Sequence, residues 1–588
     1  RIANQAPSAL EGMHMSNYWT RQQISRRSML RGTAVGAAGL SGAVLIGCGG
    51  GDDEVDADPT AAATAAGGGT AAATATADPN APKSGGKLVF RIGSEPRSLD
   101  PHFDVFNPVV ANMTSNNMLR FTQDLSEIVP DICELPEQPD ELTYIFKVNP
   151  AAHMSDIEEL GGRKVTSEDI RYTIERQRSE SSDSAGTFQH AYFFKDKLAS
   201  IDTPDDETVV ITTKDPYAPF INYIANPWSP LVAKELVEKY GDLTENAGGS
   251  GPFIFKEWQK EVRISLERNP NYWKGGGLPY VDELEFLISP DNDTAATQFI
   301  DGTFHAHSVG QSQLKRTQDA RGDDTRYAVT PLQFWRQFRM SPTEKEHPYE
   351  MYAGTDDPMG AKFADIRVRE GIVRAINKQT VLDLVYSGDG QITYGPILPQ
   401  FTNWALKDEL AGYDPARSRK LLDAAGITDG DIKGPMMWAS TSPESDQIGE
   451  VIKQQLAEVG VIADLEPMEL AAYYNKTYKY RYTFSHHVPL NSPEPDENLS
   501  SYFGEFSTYF RHFNPEIFEL VAKQARTVDF EERQAVVKEA QEAIVMDFPI
   551  KFMFTTNVHN FYDNSLKGFD FSLDRYDQYG YETAWIDA

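Results

Sequence analysis

From residue 87 onward the chain runs on two hydrophobic rhythms, a period of two in its first half and a helical period in its second. Lys87-Leu88-Val89-Phe90-Arg91-Ile92 predicts a first strand, with Gly93-Ser94-Glu95-Pro96 as its exit loop. Leu142 to Val148 alternates in the same way, and Thr208 to Thr212 is a short β-branched run. Between them, Ser167-Glu168-Asp169 supplies a cap and first-turn acids for a helix whose Ile170 and Ile174 share one face. Gly251 to Trp258 and Val262 to Leu266 alternate on either side of a short polar connection, which predicts a hairpin. Val281 to Ile288 predicts one more strand, and from Gly302 to Phe363 neither period is legible.

Helices with clear start and stop signals dominate the later half. Asp414-Pro415 reads as an N-cap with proline at the first helical position, Leu421 and Leu422 as the buried face and Gly426 as the stop. Ile448, Val451, Ile452, Leu456 and Val459 trace a second amphipathic helix. Gly460 closes it, and the strand Val461 to Leu465 follows at once, the helix-glycine-strand step of an α/β domain. Glu531 to Val545 predicts a long helix, and the last forty or so residues are aromatic and strand-like.

Residues 1–86 follow neither rhythm. Ser25-Arg26-Arg27-Ser28-Met29-Leu30-Arg31 precedes a weakly apolar run ending in Leu45-Ile46-Gly47-Cys48. Paired arginines before such a run read as a twin-arginine export signal over residues 1–47, with Met13 or Met15 as the expected start. Cys48 behind Leu-Ile-Gly reads as a lipidation site. The uncharged run from Gly32 to Gly47 is too short to span about 30 Å of hydrocarbon. Residues 48–86 are mostly Ala, Thr, Gly, Asp and Pro, a composition that cannot offset ordering entropy and so predicts a flexible tether. The expected location is therefore extracytoplasmic, with the folded body anchored to the membrane through lipid on Cys48.

Charge narrows the function class. The chain carries 55 basic and 87 acidic residues, a net charge of −32, which argues against nucleic acid and against docking on anionic lipid. With Cys48 lipidated, Cys133 has no disulfide partner and reads as a small semi-buried hydrophobe. Metalloprotease, nucleophile-elbow, Walker and paired-cysteine motifs are absent, so no catalytic residue is assigned. A surface-anchored enzyme or adhesion protein on the same tether remains the alternative.

The ordered blocks of residues 86–570 resemble the extracellular solute-binding proteins of ABC importers, family 5, the oligopeptide, dipeptide and nickel binders. They begin with Gly93-Ser94-Glu95-Pro96-Arg97-Ser98-Leu99-Asp100-Pro101 and Val165-Thr166-Ser167-Glu168-Asp169-Ile170. Gly251-Pro252-Phe253, Leu266-Glu267-Arg268-Asn269-Pro270-Asn271-Tyr272-Trp273, Asp365-Ile366-Arg367-Val368-Arg369, Ala375-Ile376-Asn377-Lys378 and Tyr413-Asp414-Pro415 continue the series. The resemblance implies an α/β, two-lobed periplasmic-binding-protein type II fold, with an extra subdomain inserted in the first lobe and the ligand in the cleft between lobes. Mapped here, the first lobe takes residues 87–102, 199–310 and 546–588, the inserted subdomain 103–198, and the second lobe 311–545. It further implies a monomer that binds a small-molecule or oligopeptide ligand and passes it to an ABC permease.

Several residues become site candidates. Glu95, Pro96, Arg97 and Ser98 sit at the exit of the first strand, where open α/β sheets place ligands, although a plain turn would also explain them. In the peptide binders an aspartate shortly before an Asp/Glu-Pro step pairs with the ligand's α-ammonium. If Glu494-Pro495 is that step, Asn491 occupies the acid's place, and a neutral amide makes no charge-assisted bond. Glu494 or Asp496 could substitute only after a shift. Trp404, Phe552 and Phe554 are candidate cleft walls or core residues. His487 is a candidate contact, but His305 with His307 alternate as on a strand and adjacent His486 and His487 point to opposite faces, so no metal or other cofactor is expected.

Overall fold

The computed structural model describes residues 81–103, 109–179, 194–341, 359–477, 482–505, 507, 512, 514–571 and 580–587. Arg26, Arg27, Cys48 and residues 48–80 of the tether lie outside the described residues. The elements used below run, in the first half, β1 (Lys87–Ile92), α1 (Val109–Thr114), β2 (Thr143–Lys147), α2 (Ser167–Arg178), β3 (Leu198–Asp205), β4 (Thr208–Thr213), α3 (Phe220–Ala225), β5 (Phe253–Gln259), β6 (Arg263–Arg268) and β7 (Glu283–Ile288). They continue with β8 (Ala306–Val309), α4 (Gln311–Arg321), β9 (Thr325–Pro331), β10 (Arg336–Met340), α5 (Ile366–Ala375), α6 (Lys378–Tyr386), β11 (Gly390–Ile392) and α7 (Pro415–Ala424). The remainder are β12 (Lys433–Ala439), α8 (Pro443–Ala457), β13 (Ile462–Met468), α9 (Leu470–Thr477), β14 (Phe484–His487), α10 (Pro495–Phe503), α11 (Pro515–Arg526), α12 (Phe530–Met546) and β15 (Ile550–Asp563).

Period-two segments pair where the alternation puts their apolar faces together. β1 buries Leu88, Phe90 and Ile92 on one face and lies parallel to β7, in a sheet of order β1-β7-β6-β5. Phe90 meets the Tyr581 ring edge-on at 4.6 Å, so the C-terminal aromatics seal this core. A second sheet, β2-β4-β3, packs against α3, where Tyr144 lies 4.6 Å from Phe220.

The second-half helices begin and end as their caps dictate. Asp414 accepts from the Arg417 amide at 2.8 Å to start α7, and Gly426 turns out of it at φ +76°. α8 connects the parallel strands β12 and β13, with Gly460 at φ +78° between helix and strand. These strands belong to the largest sheet, whose order is β8-β15-β10-β14-β12-β13, with β9 and β11 also on β15. β15 runs 14 residues. Its start pairs with β10 and β11, and from Asn557 onward it pairs with β9 and β8, so one strand serves both halves of the sheet.

Three expectations change. The stretch from Gly302 to Phe363 holds β8, α4, β9 and β10. α4 buries only Thr317, so it has no apolar stripe to read, and β10 is buried although Gln337 and Arg339 are polar. The α2 cap is Thr166 rather than Ser167, because the Asp169 carboxylate reaches back to the Thr166 amide at 2.8 Å in a capping box. Cys133 is fully rather than half-buried, and burial pushes its thiol far above the ordinary range.

Candidate functional site

Parallel strands present their carboxyl ends to whatever lies beyond the sheet, and here β12 and β14 end side by side. Beyond them lies a cavity of about 240 Å³. Ala439, Thr441 and Ser445 border it where β12 turns into α8, a turn held by Ser442, whose hydroxyl accepts from the Ser445 amide at 3.3 Å. Leu470, Tyr473 and Tyr474 enter from α9, His486, His487 and Val488 from the end of β14, Thr556 from β15, and Leu332, Phe334 and Arg336 from the chain between β9 and β10 and the start of β10.

Close packing fixes the polar groups of this wall. Gly449 lets α8 approach the Trp438 ring, since a Cβ there would lie 2.8 Å from the indole. Trp438 stacks on His486 at 5.0 Å. The Tyr473 hydroxyl stands 2.9 Å from His487 Nδ1 and 2.9 Å from Ser485 Oγ. Burial pushes the His486 imidazole down to about 3, with the Arg336 charge adding to the effect. Burial and the Arg339 charge hold His487 well below the ordinary range too, so both rings are neutral near pH 7. Arg336 is thus the one charged group among the described lining residues, and its Nη2 donates to the Tyr386 hydroxyl at 2.9 Å.

A second cavity, of about 150 Å³, already balances its charges. Lys378 pairs with Glu409 at 2.9 Å and donates to the Thr393 carbonyl, while Lys551 donates to the Ala411 carbonyl at 2.9 Å. Burial lowers Lys551 to about 7.

Of the candidates read from sequence, His487 lines the larger cavity and the others stand elsewhere. Asn491 is one layer behind: its amide donates to Pro396 O at 2.7 Å, accepts from Leu398 N at 3.1 Å, and its backbone bonds Gln333 O between Leu332 and Phe334. Phe554 is buried on β15 against Tyr386 at 5.8 Å. Trp404 packs edge-on against Phe530 at 5.2 Å. Glu95 pins the β5–β6 turn, accepting from Trp258 Nε1 at 3.0 Å and the Glu261 amide at 2.8 Å. Pro96 is buried, Arg97 exposed, and the Ser98 hydroxyl accepts from the Asp100 amide at 3.0 Å. His305 accepts from the Val89 amide at 3.0 Å and His307 lies among Phe299 and Phe304, apart from the His486–His487 pair. Arg336, Tyr473 and Tyr474 were not anticipated. The signals available were the Tyr473-Tyr474 doublet and a charged residue directly after the aromatic pair Phe334-Trp335.

The glutathione-binding protein GsiB of Pectobacterium atrosepticum is 27% identical over 503 residues, 82% of this chain and 91% of that protein. Di/tripeptide-binding protein 1 of Pseudomonas aeruginosa is 25% identical over 79% of this chain and 88% of its own length. The solved structure of the oligopeptide-binding protein AppA from Bacillus subtilis, in complex with a nonapeptide, superposes with a TM-score of 0.69 at 19% identity, covering 86% of this chain and 100% of that one. Two-lobed binding proteins of this type share the mixed α/β architecture described above. No helix among the described residues is long and apolar enough to cross a membrane. With residues 127–510 matching the family model for the middle region of its members, this chain belongs to the bacterial extracellular solute-binding proteins, family 5.

Proposed function

We propose that the protein is an extracytoplasmic receptor, held to the membrane by lipid on Cys48, that encloses a small or peptide-like solute between two lobes and delivers it to an ABC permease. The observation carrying this reading is the cavity at the carboxyl ends of β12 and β14, beside Leu332, Phe334 and Thr556, where the chain passes along β15 from one group of strands to the other. Residues 87–102, 199–310 and 546–588 would form one lobe around the β1 sheet, 103–198 the inserted subdomain and 311–545 the second lobe. Closure of one lobe over the other turns a solvated groove into a buried site, and the ligand stabilises the closed state by its differential affinity. The protein acts as a monomer and binds without catalysis. The names of the glutathione- and di/tripeptide-binding relatives support a peptide-like solute.

Thermal or urea unfolding with a panel of peptides, thiol peptides, metal chelates and sugars tests the reading. A cognate solute at a hundred times its Kd should add about 2.7 kcal/mol of stability. Stabilisation by none of them, together with turnover of any, would favour the surface-enzyme alternative. The anchor is tested separately: Cys48→Ser should move the protein from the membrane to the soluble extracellular fraction, whereas unchanged retention rules out lipid on Cys48 as the anchor.

A further inference from the structure

We infer that the cavity recognises the carboxylate of an organic anion with an apolar body, through the guanidinium of Arg336; this rests on the reading of this cavity as the solute site. A half-buried guanidinium has lost part of its hydration and needs acceptors, and an anionic one serves best. Three other buried or half-buried cations of the second half are neutralised: Arg369 pairs with Asp547 at 2.6 Å, Arg374 with Glu370 at 2.7 Å and Lys378 with Glu409 at 2.9 Å. Arg336 has a phenol, Tyr386, in place of a carboxylate, and no described carboxylate approaches it within 4.0 Å.

The acids of the adjoining helix do not fill the gap. Asp446 of α8 is committed to Trp438 Nε1 at 2.7 Å and to the Ser440 hydroxyl at 3.1 Å. Glu444 is near enough for its charge to help raise the Tyr386 phenol, whose main cause is burial, yet it makes no ion pair with Arg336. From β14, His486 and His487 face the same space as neutral rings. Among the described lining residues Arg336 is therefore the one charge, the Arg339 guanidinium behind His487 adds to the positive field, and Leu332, Phe334, Leu470 and Val488 supply apolar walls.

The same inventory disfavours an ammonium as the recognised group. No Asp or Glu is among the described lining residues, and the Asn491 amide is spent on Pro396 and Leu398. The volume of about 240 Å³ is below the roughly 300 Å³ at which drug-sized pockets begin. The site therefore takes a small anion, or the carboxyl end of a longer one.

The test is a thermal-shift and calorimetric screen of matched pairs, N-acetylated apolar dipeptides and aryl-alkanoic acids against their amides, with the free-amine dipeptide amides as a third set. Acids alone should shift the wild type, and Arg336→Gln should weaken their binding on the order of 10- to 100-fold, with Arg336→Lys in between because it keeps charge but not the bidentate fork. Equal shifts by the amides, preference for the free amines, no shift by any acid, or acid binding unchanged in Arg336→Gln each overturn the inference. Thr441→Trp, which fills the cavity from an exposed position, separates this from the parent reading. If it abolishes binding while Arg336→Gln does not, the cavity is the solute site and the carboxylate inference fails. If neither variant changes binding, the solute sits elsewhere and both fail.

Discussion

Arg533→Met is expected to lower the unfolding free energy by about 3–5 kcal/mol, the usual cost of removing one partner of a buried ion pair. Arg533 is fully buried, pairs with the equally buried Glu494, and donates to Gln524 O at 3.1 Å and Gln524 Oε1 at 3.0 Å. Without the guanidinium, Glu494 keeps only neutral donors among the described residues, the Asp496 amide at 2.9 Å and Asn222 Nδ2 at 2.5 Å. Burial already holds its carboxyl above the usual range with Arg533 present, so in the variant Glu494 should take up a proton on folding. A folded carboxyl raised above its unfolded value binds more protons than the unfolded chain in the window between the two. Stability there falls as pH rises, and the loss in the variant should be larger at pH 8 than at pH 5. Urea midpoints at the two pH values measure this, and adding Glu494→Gln should recover part of the loss. A deficit below about 1 kcal/mol with no pH dependence would mean that the pair is not what holds α10, α11 and α12 together.

Gly251→Ala should cost roughly 3 kcal/mol or more, or prevent accumulation of soluble protein. A Cβ at Gly251 would lie 2.4 Å from Thr114 C and 2.5 Å from both Met113 O and Ser115 N. These are backbone atoms at the end of α1, and no rotamer change moves them away. The Gly251 amide also donates to Thr114 O at 3.0 Å, so the clash falls on the stitch between α1 and the start of β5. Gly322→Ala is the control: nothing stands within 4 Å of its Cβ, its φ of −55° suits any residue, and a change within about 1 kcal/mol is expected. Comparable chemical-denaturation midpoints for the two variants would show that backbone approach at Gly251 has no energetic weight.

Legibility from sequence followed the cleanness of the burial pattern. β1, the β5–β6 hairpin, α7 and the α8–Gly460–β13 step carry one apolar face each, and their capping or turn residues agree with it, so they read directly. β10 does not, because Arg336, Gln337 and Arg339 interrupt its apolar run for reasons that exist only once the strands around it are assembled. The cavity was obscured for the same cause. His487 could be suspected from its type, but Arg336, Tyr473 and Ser445 converge from three separate elements, and nothing local marks them as neighbours. Asn491 shows the converse: its position before Glu494-Pro495 drew attention to the site, and its side chain turns out to brace the loop at Pro396 behind the wall.

The 14 residues of β15 have a mechanical meaning. A strand hydrogen-bonded along its length can be wound about its own axis cheaply, whereas folding it sharply breaks ladder bonds. With β10 and β11 gripping one end and β8 and β9 the other, a rotation between the two groups would be taken up as twist distributed over the strand, as in a torsion bar. Under the proposed lobe closure, such an element would limit angular travel and return the strands toward their resting twist once the solute leaves, so that release would draw on the backbone itself.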